Sequence, residues 1–165
     1  MCAEMAEQPF IVVEAVTLSQ AARCYSPLNA SLQIKLEYTV LRPVINPAWA
    51  VLFEADIAYR CFSVPLLKPT ACSECGSLFN AASSSLQHTP ADDVTTLRPG
   101  ASYRLDVHLE SMAPCAVEEK YLLQVGMLRL ILFAGDTEID TVNFVVQVKK
   151  TEDGELMRSI LNPMV

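Results

Sequence analysis

Long apolar runs are missing from this sequence. No stretch approaches the ~18 consecutive apolar residues that a membrane-crossing helix needs, so none is expected. Basic residues are in deficit, 12 Lys and Arg against 19 Asp and Glu, and the formal charge of −7 has the wrong sign for neutralising a phosphate backbone. The only consecutive basic pair is Lys149-Lys150, and no basic-aromatic array accompanies it. Direct nucleic-acid binding is therefore not expected. The opening residues, 1–8, contain Glu4 and Glu7 but no Lys or Arg, which excludes the basic n-region of a signal peptide. The six cysteines are accordingly expected to be reduced, in the cytoplasm or nucleus.

Catalytic and cofactor motifs are also missing. There is no GxxxxGKS, GxGxxG, HExxH or EF-hand loop. Cys72-Ser73-Glu74-Cys75 is half of a metal site, but structural zinc takes four ligands, commonly in two close pairs. Cys61, Cys115, His88 and His108 are singly placed, so Cys72 and Cys75 are metal candidates without a second pair. A hydrolytic triad needs a positioned base. The two histidines offer one in a long connection and one, His108, on the outward side of a strand. Neither an enzyme nor a cofactor is expected.

What remains is a folded β-rich chain. Apolar residues make up 52% and charged residues 19%, a balance that excludes intrinsic disorder. At 165 residues, one domain can bury roughly two thirds of its unfolded surface without a metal or disulfide. The patterning has a period of two. Leu32, Ile34, Leu36, Tyr38 and Val40 alternate with polar residues across 31–41, as in a half-buried strand. Trp49, Val51, Phe53, Ala55 and Ile57 do the same across 48–59, with Glu54 and Asp56 opposite. Tyr103, Leu105, Val107 and Leu109 alternate again, and 10–18 is a short β-branched run.

A short segment, 60–67, is demoted to an edge strand by Pro65. The stretch 121–133 is apolar on both faces, as a central strand would be. Gly135-Asp136 then turns it into 139–148, a hairpin. The segment 68–93, with its prolines and serine run, is predicted as a long loop, and 155–161 as a helical turn. Residues 1–9 are expected to be a flexible start, 10–150 the domain and 151–165 a tail. The architecture predicted is a single all-β, immunoglobulin-like antiparallel sandwich of seven to eight strands with a short C-terminal helical turn.

Within 121–133, alternation sends Leu128, Leu130 and Leu132 to one face and Met127, Arg129, Ile131 and Phe133 to the other. If the leucines fill the core, Arg129 stands on an outer face among apolar neighbours. Arginine and methionine are enriched at protein interfaces. The candidate partner-binding set is Met127, Arg129, Ile131, Thr141, Asn143 and Val145. A carboxylate such as Glu138 or Asp140 on the next strand is an equal candidate to pair with Arg129. A lipid or prenyl carrier, with small core residues such as Ala50 and Ala55 leaving a slot between the sheets, is a further alternative.

The order of pieces resembles a known family. The opening strand, Cys24-Tyr25-Ser26-Pro27-Leu28-Asn29, the strand that follows, Trp49 to Phe53, Val125-Gly126 with its hairpin, and Ile160-Leu161-Asn162-Pro163 are similar in order to the anti-silencing-function histone chaperone domain. The resemblance spans most of the chain in strands and spacings. It implies an immunoglobulin-like fold and a non-catalytic binding scaffold, with histones H3–H4 as one partner. In that family the central strand offers an aliphatic residue to a histone helix, where this chain has Arg129. Thr141 and Val145 fall where the family has an arginine and a tyrosine. No acid lies near Arg42-Pro43-Val44, where the family receives partner peptides. The expectation is an adaptor or subunit of a larger assembly, and a divergent histone chaperone is the alternative.

Overall fold

The computed structural model describes residues 8–19, 24–71, 84–89, 96–111 and 117–162, with 84–89 described by backbone alone. The longer strands in chain order are β1 (Ile11–Leu18), β3 (Leu32–Val40), β5 (Pro47–Ala55), β6 (Phe62–Ala71), β7 (Ser84–Thr89), β9 (Ser102–Leu109), β10 (Gly126–Ala134), β11 (Thr137–Lys150) and β12 (Leu156–Leu161). Three two-residue strands, β2 (Ser26–Pro27), β4 (Val44–Ile45) and β8 (Thr96–Leu97), and one helical turn, α1 (Glu119–Leu122), complete the described elements. No described helix is long and apolar enough to cross a membrane.

All described strand pairs are antiparallel. One sheet runs β1-β3-β9-β7 and the other β2-β12-β11-β10-β5-β6, while β4 and β8 pair separately. The alternating residues of β3 and β9 are buried on one side, as the sequence predicts. They join Trp49, Val51 and Phe53 of β5 and Leu128, Leu130 and Leu132 of β10 in one core cluster. Aromatic contacts knit the sheets together: Tyr38 of β3 meets Trp49 of β5 edge-on at 5.5 Å and stacks on Tyr103 at 5.8 Å. Quadrupoles favour both geometries.

Several expectations are corrected. Residues 156–161 form β12 along the edge of β11, not a helical turn. The β11 edge supplies backbone partners along the whole of 156–161, which outweighs propensity differences of tenths of a kcal/mol per residue. The helical turn among the described residues falls instead at α1, so Tyr121 and Leu122 precede the central strand and do not belong to it. Strand β5 ends at Ala55, and Ile57 lies in a turn. The segment expected as a loop over 68–93 contributes the end of β6 and all of β7, and its remainder lies outside the described residues. So do residues 1–7 of the expected flexible start.

Strand edges are managed by sequence. Edge strand β6 carries Pro65 and Pro69, which cannot donate to an added strand. Edge strand β1 is tied to the opposite sheet by side chains. Ile11 N donates to Asp140 Oδ2 at 3.3 Å, and Asn162 Nδ2 donates to Val16 O at 3.0 Å.

Gly126 opens β10 where no side chain fits. A Cβ there would lie 2.9 Å from the carbonyl oxygen of Glu54 and 3.2 Å from the Phe53 ring. Since the nearer obstacle is backbone, Gly126→Ala is expected to cost about 1–3 kcal/mol by overpacking, readable as a lowered thermal midpoint.

Candidate partner-binding face

Strand β10 lies between β5 and β11, so its leucines and its outward residues both have neighbours on two sides. The register pairs Met127 with Val145, Arg129 with Asn143 and Ile131 with Thr141. The six residues singled out from alternation therefore form three successive cross-strand pairs on one face, of which Met127, Arg129, Thr141, Asn143 and Val145 are at least partly exposed and Ile131 is buried at 6% exposure. Strand β5 extends the rows, with Glu54 beside Met127, Leu52 beside Arg129 and Ala50 beside Ile131. On the far side, Leu161 of β12 pairs with Val145. Ala50 is buried as expected, at 7% exposure, but on the row of Ile131 and outside the central cluster, whereas Ala55 belongs to that cluster.

Arg129 is the electrostatic centre of the face. Its Nη1 donates to Glu54 Oε1 at 2.9 Å and its Nη2 to Glu138 Oε1 at 3.3 Å. Its Nε donates to Asn143 Oδ1 at 3.3 Å. The two ion pairs differ in exposure: the Glu54 side chain is 14% exposed and that of Glu138 48%. The Glu54 contact is thus the sheltered one, and the Glu138 contact is the one open to exchange with solvent or a ligand. Two carboxylates around one guanidinium leave a net negative charge beside apolar Met127 and Ile131.

Asp140, the other carboxylate considered for Arg129, is used by backbone instead. Its Oδ1 accepts from Thr141 N at 2.9 Å and its Oδ2 from Ile11 N. A shift in register between Leu132 and Phe133 leaves Ile139 without a partner on β10, and bulges of this kind re-aim side chains. Next to it, Arg129, Glu138, Ile139, Asp140 and Thr141 line an open recess of about 370 Å³.

Two charged groups gain roles that alternation alone does not reveal. Glu54 falls on the outward face of its strand by sequence, but only the strand order brings that face beside Arg129. Arg158 lies on the inner row of β12, opposite Val148, and is 1% exposed. Its Nη1 donates to the carbonyls of Pro27, Leu28 and Ala30 at 2.7–2.9 Å, and its Nη2 to that of Ser31 at 3.1 Å. Desolvation lowers its pKa from the ordinary guanidinium value. The sequence signal for it is a lone charge within a mainly apolar six-residue run, the same kind of signal that marks Arg129.

Cys72 and Cys75 lie outside the described residues. Among the described residues no three His, Cys, Asp or Glu side chains gather as metal ligands would, and Cys61 is an exposed free thiol. His108 sits on β9 opposite Gln33, and His88 is on β7. No protein-family model matches the chain, and no curated protein does.

Proposed function

We propose that this protein is a non-catalytic interaction module, an adaptor or subunit of a larger intracellular assembly, which binds a protein partner through the outer face of its six-stranded sheet. The observation that carries this reading is the contiguity of Met127, Arg129, Ile131, Thr141, Asn143 and Val145 in three adjacent pairs. An apolar face with a charge network at its centre has the make-up of an interface core, where methionine, aromatics and arginine are concentrated. Arg129 is held in place by three side chains before any partner arrives, which reduces the side-chain ordering needed on binding.

The test compares partners co-purified with the wild-type chain and with Val145→Glu and Arg129→Ala. Val145 is outward and partly exposed, so its substitution should leave the fold intact and abolish recovery. Arg129→Ala should weaken recovery while costing about 1–2 kcal/mol of stability, between the values for exposed and buried ion pairs. Purified H3–H4 dimer, titrated separately, tests the partner implied by the family resemblance. Equal recovery of the same partners by wild type and both folded variants would defeat the reading.

A further inference from the structure

Beyond the ends of β5 and β10, two segments run side by side. Ile57 N donates to Val125 O at 3.2 Å, the rings of Phe62 and Tyr121 lie 4.7 Å apart, and the Arg60 guanidinium lies 5.7 Å from the Tyr121 ring. These contacts join 57 to 125 and 60–62 to 121, so Tyr59, Leu123 and Val125 lie on the two segments that they tie together. The turn 56–61 has a fixed shape. Asp56 O accepts from Tyr59 N at 3.3 Å and from Cys61 N at 2.8 Å. Asp56, at one end, has a φ of 52°, which Asp adopts readily, and Cys61, at the other, has a φ of 48°, which L residues other than Asn and Asp rarely adopt. Backbone strain of this kind concentrates at ligand clamps and other functional sites.

The turn holds apolar side chains in water. Tyr59 is 87% exposed, Val125 47% and Leu123 38%, which puts three of the seven exposed large hydrophobic residues among the described ones at this one place. Two cations flank them, since Lys120 Nζ also lies 4.8 Å from the Tyr121 ring. The charges here are unequal in availability. Glu118 is held by Lys120 at 3.4 Å and Glu119 by Lys150 at 2.9 Å, while Asp56 is buried. Arg60 is exposed and has no carboxylate partner among the described residues. A guanidinium positioned over an aromatic ring, with its fork of N–H donors unspent, is suited to bind a carboxylate through two hydrogen bonds.

We infer that the turn 56–61 and the segment 121–125 form a second docking surface, for a partner peptide that carries a carboxylate next to an apolar side chain. Arg60 takes the carboxylate, and Tyr59, Leu123 and Val125 take the apolar group. The complementarity is local: a free cation beside exposed apolar side chains, on a chain whose net charge would repel acidic partners elsewhere. This surface lies at the Gly126 end of β10, next to Met127 and Glu54 of the outer sheet face, and variants of each are read separately.

The test titrates two short capped peptides, with the same leucines and tryptophan but with either glutamates or lysines between them, into the isotope-labelled full chain. The glutamate peptide is expected to shift the backbone resonances of 57–61 and 121–125. Tyr59→Ala and Arg60→Glu, both at exposed turn positions, should each weaken it about tenfold, the loss expected of an interface anchor, whereas Val145→Glu should not. Equal binding of the lysine peptide, shifts confined to other residues, or unchanged affinity in Arg60→Glu would overturn the inference. So would displacement by inorganic phosphate with the same shifts, which would make Arg60 a simple anion site. The sheet face is tested by its own variants, Val145→Glu and Arg129→Ala.

Discussion

Leu130→Ala is expected to destabilise the protein by about 2–5 kcal/mol, the range for truncating a fully buried leucine. Leu130 is inaccessible to solvent at the middle of β10, with Val51 and Val142 beside it on the inner face. Both flanking valines are β-branched and stiff at χ1, so they cannot swing into the space a truncation leaves. The cavity therefore persists and adds its cost to the lost burial. The neighbouring residue gives an internal control. Ile131, one position along and facing outward, is flanked by Ala50 and Thr141 and does not belong to the central cluster. Ile131→Ala should therefore cost less than Leu130→Ala, although the side chains have the same number of carbons. Urea unfolding of both variants, compared at equal m-values, measures the difference. Ile131 is itself only 6% exposed, so equal losses would mean that it is packed as tightly as the central cluster and that the open part of the face is limited to its neighbours.

This contrast between adjacent residues is legible in the amino-acid sequence, because alternation along a strand needs only local information. The same holds for the hairpin of β10 and β11. Its turn, Gly135-Asp136, is two residues long, and Gly135 has a φ of 61°, as the first central position of a type II′ hairpin turn requires. The turn alone would set Asp140 and Val142 opposite Ile131 and Arg129; the extra residue at the bulge, Ile139, shifts the register by one and brings Thr141, Asn143 and Val145 opposite Ile131, Arg129 and Met127, as the inward alternation of Val142, Phe144 and Val146 demands. The third strand of the face is not legible in this way. β5 lies beside β10 through contacts such as Arg129 with Glu54, which are 75 positions apart in the chain. No local pattern in 48–59 says which strand will lie alongside it, so the sheltered partner of Arg129 emerges only from the fold.

The departures from the expected secondary structure share one cause. Leu156, Met157 and Arg158 are good helix formers, and propensity alone favours the helical turn predicted there. Propensity differences of tenths of a kcal/mol per residue give way when a strand edge offers backbone partners along its whole length, as β11 does from Val145 to Lys150. The reverse happens before β10. Tyr121 and Leu122 continue the apolar run of the central strand, yet the backbone amides of Tyr121, Leu122 and Leu123 turn back to the carbonyls of Glu118 and Glu119. The close approach of Gly126 to Glu54 places the start of the ladder there. The apolar residues ahead of it cover the end of the sandwich, with Leu122 buried and Tyr121 against Phe62.

Arg158→Met is expected to cost about 2–4 kcal/mol, with a fall in thermal midpoint of roughly 5–15 °C. Methionine retains most of the apolar stem, so packing beside Val148 is largely conserved and the loss reports on the guanidinium. That group stays charged at any ordinary pH even with its pKa lowered by burial. Four carbonyl dipoles, from the end of β2 and its connection to β3, converge on it in charge-assisted hydrogen bonds. Without it, the buried carbonyl of Leu28 loses a donor, and Leu28 itself is part of the core. The loop can recover hydrogen bonds only by lifting toward water, which would expose that side chain. Arg158→Lys keeps the charge but offers three donors from a single point, so it should fall between wild type and methionine. Hydrogen exchange supplies a local readout. The Ala30 amide, bonded to Pro27 O at 3.0 Å, should exchange faster in Arg158→Met even under conditions where the global fold is intact. Buried charges can also be replaced by apolar residues at no net loss when their desolvation cost equals what their partners return. A methionine variant as stable as wild type, with unchanged exchange at Ala30, would place Arg158 in that class and leave the loop anchored by Leu28 alone.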